Sequence, residues 1–372
     1  MIQVYKVIVV GSGAAGTAIA ADLALKSNIQ VDIFELEKFR GNIKSFQEYG
    51  GIEVTDNSKT TSGKTGFAKL NKVSNNPDEV IGEADVIMVA VPAMHHEYFF
   101  ETISPCLKRG QIVLFNTGYW ACLRIYKKYK DLIESRGVKI AESNIMPYLS
   151  KRFEPNKIRI YNYKRNIKVA TLPGENSDET VKFLKNYYTQ FEAVPNILYT
   201  NIVSGGNPCV HVEFSLPILG YIFDRFKGCK FYGEATLQGS RLAEAFDRER
   251  GKLAEKLGIN KVETSLEWVD KVYGYKGKTV GEAFRKSDHS DRYSSLAAIE
   301  RVLEEDICYS FIPLIRLGEL LGVSTPVIKS MVEVVSVMLD KDYWGRGITL
   351  ENMGLANLNK KEILSYVNKG VI

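Results

Sequence analysis

The apolar positions follow different periods in the two halves of the chain. In residues 1–195, short continuous apolar runs alternate with segments rich in glycine and charge. These runs lack the apolar–polar alternation of a half-solvated sheet, which is typical of parallel strands covered on both faces. The runs are Val7–Val10, Val31–Phe34, Val86–Val91, Gln111–Phe115 and Val138–Ala141. Parallel strands joined by helices predict a doubly wound α/β sheet.

Four further segments are weaker strand candidates. They are Gly50–Ile52, a stretch near Leu70–Val73, Ile158–Tyr161 and Ile167–Leu172. Because the last two come late and are short, we expect them to be antiparallel strands at the edge of the same sheet.

The second half reads almost entirely as helix from Gly205 onward. Apolar residues recur at the three- and four-residue spacing of an amphipathic helix, as in Ile328, Met331, Val332, Val335 and Met338. The predicted helical blocks are Ala235–Leu257, Val262–Val272, Ser295–Glu305, Ile312–Leu321 and Val327–Leu339. A chain of 372 residues can form two domains with separate cores. We therefore predict a dinucleotide-binding sheet domain over residues 1–195 and an all-helical C-terminal domain over residues 196–372, which would bind the substrate.

The dinucleotide prediction comes from a glycine-rich turn after the first strand. Val7–Val10 runs directly into Gly11-Ser12-Gly13-Ala14-Ala15-Gly16, and Thr17–Leu25 reads as a helix of small residues. In a G-x-G-x-x-G turn, the first glycine permits the tight turn. The second lets a pyrophosphate approach the backbone, and the third lets helix and strand pack closely. The helix then directs unpaired N–H groups at the phosphates. All six residues are therefore predicted to bind the cofactor of a Rossmann fold.

The choice between NAD and NADP depends on residues beyond the second strand. Glu35 ends that strand about 20 residues after the glycines, where a carboxylate accepts hydrogen bonds from a ribose and repels a 2′-phosphate. Arg40 could pair with such a phosphate, although a solvated loop charge explains this residue equally well. We expect NAD as the cofactor, with NADP as the alternative. Val91 and Pro92, at the end of a central strand, are placed in the same binding site.

Composition and charge narrow the function classes. The net charge of +5 is mild and scattered, so it suits small anionic ligands and gives no indication of nucleic-acid binding. Five scattered cysteines and four histidines predict neither a disulfide framework nor a metal site. No apolar run is long enough to cross a bilayer, and the N-terminus shows no signal-peptide pattern. We therefore expect a cytoplasmic protein without a membrane partner.

Two segments of the helical half carry candidate chemistry. His211 ends Asn207-Pro208-Cys209-Val210-His211 and could exchange a proton with a substrate carbonyl, although a structural histidine beside a Gly-Pro turn is the open alternative. Arg301 and Glu305 have i, i+4 spacing and are expected to pair on a solvated helix face. Arg301 and Asp306 differ by about 140° on an ideal helix, so they would share a pocket only if the helix ends or bends there.

Several motifs resemble those of the octopine/nopaline, or opine, dehydrogenases, over nearly the whole chain. The segment that ends in His211 is similar to the family's N-P-x-x-H motif, and Arg301 through Asp306 is similar to its R-Y-L-x-E-D motif. The other similar segments are Ala84–Ala93 with His96-Glu97, Gly110–Val113 with Gly118, Ala141–Ser143 with Pro147-Tyr148, and Leu321–Val323 with Thr325–Ile328. Val302 stands where the family has tyrosine and Val212 where proline often follows the histidine. Both departures concern the substrate pocket more than the reaction.

The resemblance implies NAD(P)H-dependent reductive condensation of a 2-oxo acid, often pyruvate, with the amine of an amino acid. It implies His211 as the catalytic acid/base and Asp306 as its orienting partner. Arg301 becomes the anchor of a substrate carboxylate, with Glu142 and Asn207 as further substrate-binding residues. The expected partners are therefore two small molecules, and the apolar helices leave a homodimer open.

Two alternatives stand beside this function. A ketopantoate-reductase-like or 2-hydroxy-acid enzyme would need no amine, but such relatives typically use a lysine near the start of the helical domain, and none lies between Thr200 and Arg225. A non-catalytic NAD(P)-binding sensor would have no need of His211, Asp306 and Arg301 together.

Overall fold

The computed structural model describes residues 3–225 and 227–371. The chain divides between Ile197 and Leu198 into two compact units. Within the described ranges, we number twelve strands and fifteen α-helices in chain order. None of these helices combines the length and the apolar character that a membrane span requires.

The strands are β1 (Tyr5–Val10), β2 (Ile29–Phe34), β3 (Gly51–Val54), β4 (Gly66–Lys69), β5 (Lys72–Ser74), β6 (Val86–Val89), β7 (Ile112–Phe115), β8 (Lys139–Ser143), β9 (Tyr148–Glu154), β10 (Lys157–Tyr163), β11 (Ile167–Leu172) and β12 (Phe191–Ala193). The helices are α1 (Ala14–Ala24), α2 (Lys44–Tyr49), α3 (His96–Ile103), α4 (Ala121–Arg136), α5 (Ser177–Leu184), α6 (His211–Ser215), α7 (Leu219–Asp224), α8 (Leu237–Leu257), α9 (Ser265–Tyr273), α10 (Val280–Arg285), α11 (Leu296–Asp306), α12 (Ile312–Leu321), α13 (Pro326–Leu339), α14 (Tyr343–Arg346) and α15 (Lys360–Lys369).

The main sheet of the N-terminal unit has the order β12-β11-β8-β7-β6-β1-β2-β5 in the described part of the chain. Strand β1 pairs in parallel with β2 and β6, and the parallel pairing continues through β7 and β8. Strand β11 is antiparallel to β8, as predicted for Ile167–Leu172, although β12 lies outside it at the edge. The doubly wound prediction is confirmed. The strand order reverses at β1 and β6, and sheets of this kind bind ligands beyond the carboxyl ends of such strands.

The placement of Ile158–Tyr161 in the main sheet is wrong. This segment belongs to β10, in a second sheet of order β4-β3-β10-β9. Gly50–Ile52 contributes to β3 of the same sheet. Burial alternates along the start of β10, where Ile158 and Ile160 are buried and their neighbours are partly exposed. This period-2 burial is typical of a sheet with one covered face, whereas the central strands of the main sheet are buried on both faces.

Helix α1 lies between the two sheets and contacts β1 and β2 on one side and β3, β4, β9 and β10 on the other. All residues from Gly16 to Leu23 are buried, which explains a helix of small residues without a polar face. The buried Asp22 carboxylate accepts hydrogen bonds from the Thr61 backbone and hydroxyl, both at 2.7 Å, and from the Tyr148 hydroxyl at 2.5 Å. These bonds connect α1 to the loop before β4 and to β9.

The C-terminal unit is helical, as predicted, with α8 packed against α6, α9, α10, α12 and α13. An isolated bridge joins Cys229 and Ser294. The buried Arg250 of α8 donates to the carbonyl oxygens of Ile202 at 2.6 Å and Ser204 at 3.2 Å, and pairs with Asp247 at 2.7 Å. These bonds engage both terminal nitrogens of the buried guanidinium and hold the segment that leads to His211.

Local capping explains where one predicted helix begins. Helix α9 begins at Ser265 rather than at Val262 because Thr264 forms a capping box with Glu267. Helix α11 ends at Asp306 and passes through a π-helical turn, Ile307–Phe311, into α12.

Candidate active site

The three glycines of the turn after β1 occupy positions with different steric demands. Gly11 has φ +98°, and a Cβ there would lie 2.5 Å from Val91 Cγ1 and 2.9 Å from the Ala90 oxygen. A Cβ on Gly16 would overlap the Gly11 carbonyl oxygen. A Cβ on Gly13 would meet no described atom within 4 Å. The turn therefore needs glycine at the first and third positions for packing, while the backbone at Gly13 is open.

This opening fits a dinucleotide pyrophosphate. Helix α1 begins directly after Gly13, with no side-chain cap and no acidic residue in its first turn among the described residues. Its first N–H groups are therefore available to an anion, and the helix dipole favours negative charge at this end. Ser12, Ala14 and Ala15 complete the turn. Residues 11–16 can thus hold a nicotinamide dinucleotide, which supplies hydride chemistry when bound.

Glu35 lies immediately after β2 and its side chain is turned toward the glycine turn. The residue is 3% exposed. One carboxylate oxygen accepts hydrogen bonds from the Ser12 backbone at 2.9 Å and hydroxyl at 2.6 Å, and the other accepts from the Leu36 N–H at 2.9 Å. Arg40, in contrast, is exposed and pairs with Glu37 at 2.9 Å. Glu35 therefore also supports the glycine turn, a contribution that its position in the sequence does not reveal.

Val91 and Pro92 follow β6 beside Gly11, and a buried histidine holds them. His96 Nε2 lies 3.1 Å from the Val91 carbonyl oxygen, and its Nδ1 lies 3.4 Å from an Arg124 guanidinium nitrogen. Burial and the adjacent Arg124 charge keep the pKa of His96 well below its ordinary value. A neutral His96 with its proton on Nε2 satisfies both contacts, so its role here is to position the loop after β6.

The sequence candidates His211 and Asp306 form a direct contact in the C-terminal unit. His211 Nδ1 lies 2.9 Å from Asp306 Oδ2, and the two side chains are 9% and 1% exposed. His211 begins α6 one residue after the turn Asn207–Cys209, and Asp306 is the last residue of α11. With Nδ1 hydrogen-bonded to the carboxylate, the proton of a neutral imidazole stays on Nδ1 and the lone pair is on Nε2. This arrangement is suited to general acid–base chemistry at Nε2.

The other predicted substrate residues have contacts within their own units. Arg301 is 51% exposed and pairs with Glu305 at 3.0 Å, as its i, i+4 spacing predicts. Glu142 is buried and accepts the Cys122 N–H at 2.9 Å, at the start of α4. Asn207 is partly buried in the turn before α6. Their roles in substrate binding stay predictions.

Two side chains beside His211 have no recognisable signal in the sequence. The Tyr232 hydroxyl lies 3.0 Å from His211 Nε2. Glu213 of α6 is completely buried, and neither of its carboxylate oxygens has a hydrogen-bond partner among the described residues. Tyr232 is one of 20 tyrosines, and Glu213 resembles any acidic residue of a helix. Only the packing distinguishes them.

The Cys209 thiol and the possible metal ligands do not form a second candidate site. Burial raises the pKa of the Cys209 thiol to about 12, so this thiol keeps its proton near neutral pH and is a poor nucleophile. In the part of the chain that the structure describes, no three His, Cys, Asp or Glu side chains are grouped so as to hold a metal ion.

Two family models of known proteins match parts of the chain. Residues 193–339 match the family model of the α-helical domain of NAD/NADP octopine/nopaline dehydrogenases. The C-terminal half of the chain is therefore similar to the helical domain of the octopine/nopaline dehydrogenases. Residues 7–120 match the model of ketopantoate reductases, which describes the sheet region. These matches show that the chain is an NAD(P)-dependent oxidoreductase.

Individual relatives are similar to this protein along the whole chain. The chain is 28% identical over 374 residues to an opine dehydrogenase of Arthrobacter sp. (strain 1C), covering 99% of this chain and 100% of that protein. A vitopine synthase of Allorhizobium ampelinum is 22% identical, with 98% and 99% coverage. The fold is shared with a solved octopine dehydrogenase structure with NADH and L-arginine, with TM-score 0.75, 15% identity and coverage of 97% and 98%.

Proposed function

We propose that the protein catalyses the NAD(P)H-dependent reductive condensation of a 2-oxo acid, such as pyruvate, with the amine of an amino acid. The product is an N-(carboxyalkyl) amino acid. The observation that carries this proposal is the buried contact between His211 and Asp306, which leaves Nε2 as the proton-transfer atom. The glycine turn supplies the second requirement, a site for the hydride donor.

The condensation needs a group that moves protons from nitrogen to oxygen. An ammonium and a carbonyl combine to an iminium and water, so two protons leave the nitrogen and two reach the departing oxygen. His211 can accept each proton at Nε2 and deliver it again, because Asp306 holds the imidazole through Nδ1 and leaves Nε2 for proton transfer. A nicotinamide dinucleotide held by residues 11–16 would supply the hydride that reduces the iminium carbon. A reduction that involves no amine would need proton delivery to oxygen but no proton removal from nitrogen.

We further propose that Arg301 binds a substrate carboxylate, with Asn207 and Glu142 as further substrate-binding residues. The Arg301 side chain is half exposed, and its bond to Glu305 leaves further guanidinium N–H groups for a ligand. Guanidinium and carboxylate form two parallel hydrogen bonds, which suits a substrate pair in which both partners carry a carboxylate.

The test is a substrate panel. Protein is mixed with NADH or NADPH, pyruvate and single amino acids, and cofactor oxidation is followed at its absorbance band. We expect oxidation that requires both the 2-oxo acid and an amino acid, and a secondary-amine product by mass spectrometry. Oxidation that needs no amine would favour a ketopantoate-like reductase instead, an alternative supported by the match over residues 7–120. Binding of the cofactor without oxidation for any pair would contradict the proposal.

We propose NAD rather than NADP as the preferred cofactor, because a Glu35 carboxylate repels a 2′-phosphate. In Glu35→Gln, the ratio of the NADPH to the NADH dissociation constant should fall about tenfold, since about 1.4 kcal/mol of charge repulsion is removed. Fluorescence titration with both cofactors measures the ratio. The control Glu48→Gln removes an exposed carboxylate of α2 that lies near Lys44 at 3.7 Å and should leave the ratio unchanged. Equal ratios in wild type and Glu35→Gln would contradict the assignment.

A further inference from the structure

We infer that Tyr232 is a catalytic residue of the proposed reaction, where its hydroxyl is a second hydrogen-bond donor to the substrate oxygen that His211 protonates. The inference rests on the proposed function. Tyr232 lies between α7 and α8, and its hydroxyl oxygen is 3.0 Å from His211 Nε2. Nε2 is the atom that the condensation requires, because Nδ1 is engaged by Asp306 at 2.9 Å. The hydroxyl therefore lies on the reactive side of the imidazole.

The Tyr232 ring is held in place by other aromatic side chains. It stacks on Phe284 with a centroid distance of 4.6 Å and an interplanar angle of 22°. The rings of Phe231, at 5.1 Å, and His289, at 5.3 Å, meet it edge to face. Such pairs each add to the burial energy of the ring. Because the ring is fixed on several sides, a change of hydrogen-bond partner needs only rotation of the O–H bond.

The hydroxyl can serve both protonation states of His211. While Nε2 has a lone pair, the Tyr232 O–H donates to it. Burial raises the pKa of Tyr232 above its ordinary value of 10, so the hydroxyl keeps its proton near neutral pH. Once His211 has taken a proton from the substrate amine, Nε2–H becomes a donor itself, and the Tyr232 O–H is released for another acceptor.

A substrate oxygen fits both donors at once. Nε2 and the hydroxyl oxygen are 3.0 Å apart, so one oxygen can lie about 2.8 Å from each of them, at ordinary hydrogen-bond distance. During condensation, the C–N bond forms as the carbonyl π electrons move to oxygen, and that oxygen then accepts protons through His211 and leaves as water. Negative charge develops on this oxygen in the first step. A fixed second donor stabilises that charge without reorganisation, as donors of an oxyanion hole do.

The same aromatic cluster supplies a matched control. The Tyr275 hydroxyl lies 2.7 Å from His289 Nδ1, so it is also a phenol paired with a buried imidazole. Tyr275 contacts Phe284 edge to face at 6.2 Å. Replacing either tyrosine by phenylalanine removes one hydroxyl and keeps the ring, but only Tyr232→Phe removes a partner of His211.

The first experiment compares turnover in these two variants. In Tyr232→Phe, we expect kcat with the best substrate pair of the panel to fall about 10²-fold, the effect of losing one such donor. The NADH dissociation constant should stay within about twofold of wild type, since the change does not touch the glycine turn. Tyr275→Phe should keep kcat within about threefold. Equal losses in both variants would mean a structural role in the aromatic cluster, and an unchanged kcat in Tyr232→Phe would overturn the inference directly.

A second measurement separates this inference from the proposed function. Nitrogen-15 NMR of the protein without substrates reports the hydrogen bond at His211 Nε2 independently of turnover. Tyr232→Phe should shift that resonance, and Tyr275→Phe should not. If Tyr232→Phe leaves the resonance unchanged, the donor role of Tyr232 is wrong whatever the enzyme does. If the resonance shifts and wild type oxidises neither cofactor with any substrate pair, the contact is real, and the proposed function and the donor role fall together.

Discussion

Replacement of His211 by asparagine should lower kcat/KM of the condensation by about 10³-fold, within the range for loss of a positioned general acid–base. Asparagine fits the space and can still donate to Asp306, but it cannot carry a proton from nitrogen to oxygen. Since His211 has only 9% of its side chain exposed, bulk water should replace it poorly. Steady-state kinetics with the best pair of the panel measures the loss, with NADH binding as the check on folding.

Replacement of Asp306 by asparagine tests whether the two residues act together. Asp306→Asn keeps the shape but replaces the carboxylate at 2.9 Å from Nδ1 by a neutral amide. The amide can present either its oxygen or its NH2 group to Nδ1, so the imidazole no longer has a defined tautomer. We expect a loss of the same order as in His211→Asn. The double variant should lose no more than His211→Asn alone, because the two residues act as one unit. Multiplied losses would show that Asp306 acts independently, and retention of a tenth of the activity in His211→Asn would refute the acid–base role.

Replacement of Glu213 by glutamine should stabilise the protein at neutral pH. Burial, with the nearby charges of Asp306 and Asp247, raises the pKa of Glu213 well above its ordinary 4.5. A raised acid pKa means that the folded chain binds the proton more tightly. The stability of the fold is therefore complete below the ordinary pKa and decreases as the pH rises toward the folded pKa. At pH 7 this cost is at most a few kcal/mol, because the pH is then only a few units above the ordinary pKa of 4.5.

The measurement is the free energy of unfolding by denaturant at pH 5 and at pH 7. Glu213→Gln is neutral at both values, so its gain over wild type should increase with pH. The control Glu244→Gln changes an exposed glutamate of α8 and should stay within about 0.5 kcal/mol of wild type. A loss of stability at pH 7 in Glu213→Gln would mean that the native carboxylate is ionised and has a partner that accepts only the charged form.

Features that lie within one short segment are predictable from the sequence, whereas the sheet to which a strand belongs is not. The turn from Gly11 to Gly16 combines a strand, its glycines and a helix within a short segment, so its steric requirements are readable directly. The strand at Ile158–Tyr161 was also recognised, but it lies in the second sheet. A short apolar run specifies that a segment is buried. It does not specify which of two sheets covers it, because partner strands are chosen by long-range packing.

The same distinction between local and long-range features applies to the candidate site. The sequence alone determined the doubly wound sheet with its glycine turn, the helical second half, and His211 and Asp306 as candidates, since these are local periods and recognisable motifs. The tertiary structure alone decided that His211 and Asp306, 95 residues apart, meet at 2.9 Å, and that Arg301 pairs with Glu305 on an exposed face. It alone placed Tyr232 at Nε2 and buried Glu213 without a partner among the described residues. The physical reason is that hydrogen bonds and desolvation act between atoms that folding brings together. Their strength depends on distances in space, which cannot be read from the separation of residues along the chain.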